Sequence, residues 1–370
     1  MTLVDQLKQL ESGDRRPVVN PEEVPCRETS DAERLCKHPV VSVVMVTYNH
    51  EPYIRQTIES VLCQKSDFEY ELIIGEDCST DKTREICFEY QKRFPDKVRV
   101  LWADRNLYQL GLSNERRCID HCRGEYIAFC EGDDYWTDPL KLQKQVDLIR
   151  QKDAVMCVAF NHVIWPSGVE EDALYERKEY LTVADFKKHY FQTSTYLISG
   201  LSYRKMCEQS PGVRCWFDIL VEFHQAAMGR VCLLPEIVST YRKTGNGICS
   251  SLNVAERKFE SAKMEYAMFL YGPQSLRGYF ANNVMVAVDE LFTTNRRYRP
   301  YPMAWRTFKE LVCAHFYLAR VFRIYPECKV IPIHLYALSI GYYWLRLLLT
   351  GIGLGGYLKK MKGELWRVVS

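Results

Sequence analysis

Between Val40 and Phe160, β-branched runs alternate with stretches of helical period, and that alternation leaves few folds open. The run 41–48 (VSVVMVTY) reads as a buried strand, because strands covered on both faces are almost wholly apolar. Pro52 to Gln64 reads as a helix, with Ile54, Ile58, Val61 and Leu62 on one face. Further strands are expected at Tyr70–Gly75, Val98–Trp102, Tyr126–Cys130 and Val155–Phe160. The helices between them are expected from a Ser79 or Thr80 cap to Arg93, at Leu112–Cys122 and at Pro139–Gln151. Strands joined through helices in this rhythm give an α/β fold: a mostly parallel sheet with helices on both faces.

Such sheets bind ligands outside the carboxyl ends of their strands. The first strand ends in Thr47-Tyr-Asn-His, the second in Gly75-Glu-Asp-Cys-Ser-Thr-Asp, the fourth in Cys130-Glu-Gly-Asp-Asp-Tyr-Trp. Three polar clusters therefore fall on the edge that the topology marks. Glu131, Asp133 and Asp134 crowd four positions, and carboxylates so close repel unless a cation neutralises them. Hard oxygen ligands with room for water suit Mg²⁺ or Mn²⁺ bound together with phosphates. An acidic surface turn with Asp138 capping the next helix would account for Asp138, but not for the three acids before it.

The rest of the chain is less regular. Residues 1–38 are polar, with prolines at 17, 21 and 25, and read as an arm; Leu3, Leu7 and Leu10 could share one short helix. Residues 165–188 look loop-like, 194–203 strand-like, 217–228 helical, and 231–242 like a strand pair around Pro235. Helices are expected at 255–270, 275–294 and 302–324.

Composition removes several classes. With 47% hydrophobic and 26% charged residues, the 370-residue chain is no disordered polymer, collagen-like fibre or polytopic membrane protein. A net charge of +2 argues against a nucleic-acid partner. The total hides an asymmetry: residues 301–370 hold ten Lys and Arg against three Glu, +7, which leaves −5 for the rest. The fifteen cysteines lack CxxC spacing, and the first residues lack an apolar leader, so reduced thiols in a cytoplasmic setting are expected. His50, His121, His162, His189 and His224 show no metal-ligand spacing and read as surface or polar-core residues.

Residues 41–49 (VSVVMVTYN), 76–83 (EDCSTDKT) and 124–136 (GEYIAFCEGDDYW) together resemble the signature of glycosyltransferase family 2, over about residues 40–250. The resemblance implies a GT-A fold, Rossmann-like, with a nucleotide-sugar-binding half and an acceptor half. It divides the chain into an arm (1–38), a catalytic domain (39–250) and a helical C-terminal region (251–370). Carried over to this sequence, Thr47, Tyr48 and Asn49 would line the nucleotide pocket, Tyr48 stacking on the base. Asp77 would accept the base ring N–H. Asp133 matches the metal-binding last acid of the Asp-x-Asp motif. Glu131 stands where the family usually has Asp, and would reach the ribose or the metal's shell. Asp218 best matches the catalytic base, with Glu222 one turn later as its substitute. Arg242 and Lys243 would clamp the diphosphate.

The implied activity is inverting transfer from a nucleoside-diphosphate sugar, UDP-linked by preference, to a glycan or lipid-linked acceptor in cell-surface polysaccharide or glycoconjugate synthesis. A binding protein that keeps the fold without catalysis is the alternative. A nucleotidyltransferase would want a Gly-rich basic loop after the first strand, and residues 49–52 (NHEP) are not that. The stretch 330–358 has no acid and, apart from His334, only Arg346 as a basic group. It suits amphipathic helices that pack on the domain or lie at an anionic membrane, on the cytoplasmic face, or else a homodimer interface.

Overall fold

The computed structural model describes residues 24–209, 217–244 and 254–297, together with Asp5, Leu7, Lys8, Ala314, Tyr317, Leu318 and Val321. The stretch 330–358 lies outside them, as does most of the helix expected at 302–324. The chain divides into two units. One comprises Gln9–Asn253 and Leu270–Pro273; the other comprises Met1–Lys8, Val254–Phe269 and Gln274–Ser370.

The larger unit is built on one sheet. Its first strand, β1 (Arg27–Thr29), comes from the segment read as an arm. The expected apolar runs follow as β2 (Val41–Thr47), β3 (Tyr70–Glu76), β4 (Val98–Trp102) and β5 (Tyr126–Phe129). β6 (Tyr135–Trp136), β7 (Met156–Ile164), β8 (Glu170–Ala173), β9 (Tyr180–Leu181), β10 (Leu197–Ser199) and β11 (Val231–Arg242) complete the eleven strands of the described residues. The order across the sheet is β1-β4-β3-β2-β5-β10-β7-β11-β6, with β8 on β7 and β9 on β11. β4, β3, β2 and β5 run parallel, as do β7 and β11. β10 lies antiparallel between β5 and β7. At the edge, β1 runs antiparallel to β4, and the Trp102 indole N–H donates to Thr29 Oγ1 at 3.1 Å.

The helices between the strands are α1 (Ile54–Leu62), α2 (Thr83–Arg93), α3 (Asn114–Asp120) and α4 (Lys141–Lys152). α1 turns Ile54, Ile58 and Val61 into the core, and the same cluster takes in Val43, Met45, Leu72, Ile74 and Val100 from the strands. Each helix starts later than its sequence suggests. Ser79 and Thr80 do not cap α2: Ser79 Oγ accepts the Asn49 N–H (3.0 Å), and Asp81 Oδ1 accepts the Thr83 N–H instead. Ser113 does cap α3, taking the Arg116 N–H at 3.1 Å. Beyond β7 come α5 (Val183–Phe186), α6 (Gly200–Gln209) and α7 (Phe217–Met228). The segment read as loop thus holds β8, β9 and α5, and the strand expected at 194–203 is three residues followed by a helix.

The expected strand pair at 231–242 is one strand. Its register with β7 shifts between Leu234 and Ile237, so Pro235, which has no N–H to give, sits in a bulge.

Charges are buried beneath the sheet. Glu71 on β3 accepts Arg99 Nη1 at 3.0 Å, Arg123 Nη2 at 2.6 Å and the Ser42 hydroxyl at 2.6 Å. Arg99 also reaches back to Glu28 on β1, at 2.8 and 3.0 Å.

In the second unit, α8 (Val254–Tyr271) and α9 (Arg277–Arg297) are the expected helices. Leu7 and Ala314, Leu318 and Val321 are buried in this unit, and Lys8 Nζ lies 5.8 Å from the Tyr317 ring. Among the described residues every cysteine is a free thiol, and no helix is long and apolar enough to cross a membrane.

Candidate active site

β5 does not simply stop at its carboxyl end. The N–H groups of Cys130 and Gly132 still bond to the Val44 and Val46 carbonyls on β2, at 3.0 and 2.9 Å. The chain then turns, Asp134 N–H to Glu131 C=O (3.0 Å), and pairs as β6 with Ser239 and Thr240 of β11. The Thr57 hydroxyl on α1 fastens the turn from the other side, at 3.0 Å from the Gly132 carbonyl and 2.6 Å from that of Asp134. The acids are therefore held by three elements rather than displayed on a loose loop.

Gly132 lets the turn come this close. A Cβ there would lie 2.5 Å from Thr47 Oγ1 and 2.6 Å from His50 Nδ1. Gly132→Ala is expected to cost about 1–3 kcal/mol of overpacking and to push the turn off β2. Circular dichroism should remain native while the melting temperature falls; an unchanged melting temperature would contradict this picture of the turn.

The carboxylates crowd one another. Glu131 takes the Thr193 hydroxyl on one oxygen, while its other oxygen is buried without a partner. Burial, with the Asp133 and Asp218 charges nearby, pushes its pKa up to about 7. Asp134 is 1% exposed; Oδ1 accepts the Arg242 N–H at 2.9 Å and Oδ2 is orphaned. Burial and the charges of Glu131 and Asp133 raise it well above the usual range. Asp133 lies 3.8 Å from His50 Nε2, and the His50 ring also meets Thr47 Oγ1 at 3.2 Å.

Asp218 opens α7. Its Oδ1 accepts the Ile219 N–H (3.1 Å), and the Tyr190 hydroxyl donates to Oδ2. Burial raises its pKa, and the Tyr190 bond opposes the rise. Glu222 is committed elsewhere: it is buried, accepting Phe191 N–H at 3.0 Å and Tyr196 O–H at 2.7 Å. Glu115 on α3 was not anticipated. It accepts the Tyr203 hydroxyl at 2.9 Å, and burial, with Glu131 and Asp218 in range, brings it up to about 7.

At the ends of β2 and β3, Asn49 adopts a left-handed φ of 54°, and its Oδ1 accepts the Thr80 N–H at 2.8 Å. The ends of β2 and β3 are thereby tied together. The Asp77 N–H donates to the Thr47 carbonyl at 3.0 Å. Its carboxylate accepts the N–H groups of Leu107 (2.7 Å) and Tyr108 (3.2 Å). Tyr48, next to Thr47, is exposed.

The two basic residues are both engaged. Arg242 Nη1 donates to the Asp133 carbonyl at 2.7 Å, Nη2 donates to Gln56, and the guanidinium lies 4.3 Å from the Tyr135 ring centre. Lys243 Nζ sits 3.3 Å from the centre of the Trp165 ring. Trp136 is core, its indole N–H donating to the Ser194 carbonyl at 3.0 Å. Thr47, Asp77, Glu131, Asp133 and Arg242 thus meet at one edge of the sheet, and Asp218 reaches Glu131 electrostatically from α7. His50, Glu115, Asp134, Tyr190 and Thr193 join them.

Among the described residues, no three His, Cys, Asp or Glu side chains form a ready metal cage. The orphaned, buried oxygens of Glu131 and Asp134 nonetheless fit a hard cation that takes one or two carboxylates and completes its shell with phosphate and water.

A mostly parallel sheet with acids gathered at its carboxyl edge and helices appended C-terminally is the GT-A fold. Residues 42–200 match the model of glycosyl transferase family 2, and this segment of the chain belongs to that family. The TarS protein of S. aureus (residues 1–349), solved with UDP-GlcNAc, shares the fold with a TM-score of 0.56 at 17% identity, over 76% of this chain and 82% of that one. Uncharacterized proteins of Mycobacterium bovis and Mycobacterium tuberculosis are 33% identical over 226 residues, 59% of this chain. The match spans 63% of those relatives' own length. TuaG of Bacillus subtilis, provisionally named a teichuronic acid biosynthesis glycosyltransferase, is 28% identical over 222 residues, covering 60% of this chain and 85% of TuaG.

Proposed function

We propose that the chain is an inverting glycosyltransferase that moves a sugar from a nucleoside-diphosphate donor, UDP-linked by preference, to an acceptor hydroxyl in cell-surface polysaccharide or glycoconjugate assembly. The observation that carries this reading is the crowding of Glu131, Asp133 and Asp134 on one turn with Asp218 of α7 in electrostatic range, two of the carboxylate oxygens being buried and unpartnered. Such a concentration of acid is unstable without a cationic guest or bound protons.

Asp77 would accept the base N–H, with Tyr48 against the base face. Asp133 and Glu131 would hold Mg²⁺ or Mn²⁺, which when bound supplies positive charge beside the diphosphate. Asp218 accepts the proton of the acceptor hydroxyl as its oxygen forms the new bond to the anomeric carbon. The bond from that carbon to the diphosphate oxygen breaks on the opposite face, so the configuration inverts. Arg242 braces the acidic turn through the Asp133 carbonyl. Lys243 would reach the diphosphate after leaving Trp165. The acceptor is proposed to be a glycan or a lipid-linked saccharide, which the basic tail would help to meet at a membrane surface. TuaG's name supports this setting.

The test is a panel of UDP-, GDP- and dTDP-sugars, scored by thermal stabilisation and by slow donor hydrolysis, with and without Mn²⁺. Stabilisation and hydrolysis by one donor class, both stronger with metal, are expected. Stabilisation with no hydrolysis or transfer would instead fit a silent binding protein.

A further inference from the structure

The loop between β4 and α3 is tied down to an unusual degree. The Asp77 carboxylate accepts two successive backbone N–H groups, Leu107 and Tyr108, and the Asp77 carbonyl accepts Asn106 Nδ2 at 2.9 Å. Asn106 Oδ1 takes the Gln109 N–H at 2.8 Å, and the Leu107 carbonyl takes the Leu112 N–H at 2.8 Å. Gly111, at φ 79°, closes the loop in a conformation that glycine adopts without strain. Leu107 and Leu110 point inward, into a small cluster with Val24 and Ala103. The same geometry turns Tyr108 outward, 55% exposed.

A mobile loop would show an exposed aromatic by accident. Here the backbone is fastened on both sides of the ring, and the fastening group is the carboxylate read above as the base acceptor. Tyr48, 38% exposed, follows Thr47, whose carbonyl takes the Asp77 N–H. Two exposed tyrosines therefore sit on segments bonded to Asp77: Tyr108 gives its own N–H to the carboxylate, and Tyr48 follows the residue whose carbonyl takes the Asp77 N–H.

We propose that Tyr108 is a second aromatic wall of the base pocket, so that Tyr48 and Tyr108 bracket the base whose edge Asp77 reads. This rests on the reading of the site as a nucleoside-diphosphate pocket. Each Asp77 oxygen has a lone pair left after accepting one amide, so the carboxylate can hold the loop and the base together. Loop order and base binding are then linked through one side chain. The ligand class is a nucleoside diphosphate whose base offers a ring N–H.

The experiment is calorimetric titration of the full chain with UDP, and separately with UMP, for the wild type, Tyr108→Ala and Tyr108→Phe. Base–aromatic stacking is worth enough to expect about tenfold or greater weakening in Tyr108→Ala, similar for UDP and UMP, with Tyr108→Phe near wild type. Melting temperatures of all three proteins, with Tyr108→Phe as the conservative control, separate a loss of stacking from a loss of fold. Equal binding by wild type and Tyr108→Ala overturns the inference and leaves the pocket reading standing. A wild type that binds neither UDP nor UMP overturns the reading of the site as a uridine-nucleotide pocket, and the inference with it.

Discussion

Asp218→Asn is expected to abolish sugar transfer while leaving donor affinity within about twofold of wild type. Loss of a positioned general base removes roughly 10²–10⁴ in rate. The amide matches the carboxylate in shape and can still accept from Ile219, so α7 should start unchanged. Donor contacts would come from β2, β3 and the 131–134 turn, none of which Asp218 supports. The pH profile adds a check. Burial raises the Asp218 pKa, so its base form is lost as pH falls through a value above that of an ordinary aspartate. Transfer should therefore rise with pH across that raised value. The Tyr190 hydroxyl holds the pKa down, so Tyr190→Phe should move the acid limb upward. Near-normal kcat in Asp218→Asn would remove the assignment, and a parallel loss of donor affinity would make the residue part of the donor pocket instead.

Glu71→Ala should give the largest loss of stability. Glu71 is fully buried and accepts from Ser42, Arg99 and Arg123. Removing one partner of a buried pair costs roughly 3–5 kcal/mol, because the remaining charge is stranded. Arg99 would be left with Glu28 as its one carboxylate and with the His121 carbonyl. For a domain of this size the melting temperature should fall on the order of 10 °C. Burial would raise the Glu71 pKa, but hydrogen bonds from Arg123 and Ser42 outweigh it and hold it below the usual value. That stabilisation is complete above the ordinary glutamate pKa and fades as pH falls through the lowered one. The mutant's deficit should accordingly shrink in acid. A melting temperature within 2 °C of wild type, by the same conversion of well under about 1 kcal/mol, would contradict the role assigned to this network.

The central strands were legible because parallel strands buried on both faces leave near-continuous apolar runs, as in 41–47 and 70–76. The acidic turn was legible because its members are neighbours in sequence. β1 was not: Arg27, Glu28 and Thr29 carry no apolar signal, since an edge strand needs none. β10 was misjudged because three residues cannot establish a period, and nothing local says that they run antiparallel between β5 and β7. Pro235 suggested a break where a bulge absorbs it. In the site, the missed residues share one trait. Glu115 sits on an expected helix and Tyr190 and Thr193 in segments of no particular pattern, but all three matter only through the groups they reach across the fold. Asp77 is legible for what it would bind, while its hold on the Leu107 and Tyr108 backbone is visible only in three dimensions.

β1 also bears on how the protein can be handled. It covers the outer edge of β4, and it brings Glu28 to Arg99. Trimming the chain to begin at residue 39, where the recognisable motifs start, would bare a row of unpaired backbone donors and acceptors on β4. Naked edges of this kind recruit other strands. Such a truncation would keep every residue of the candidate site and still be prone to self-association, which would be easy to mistake for a native oligomer.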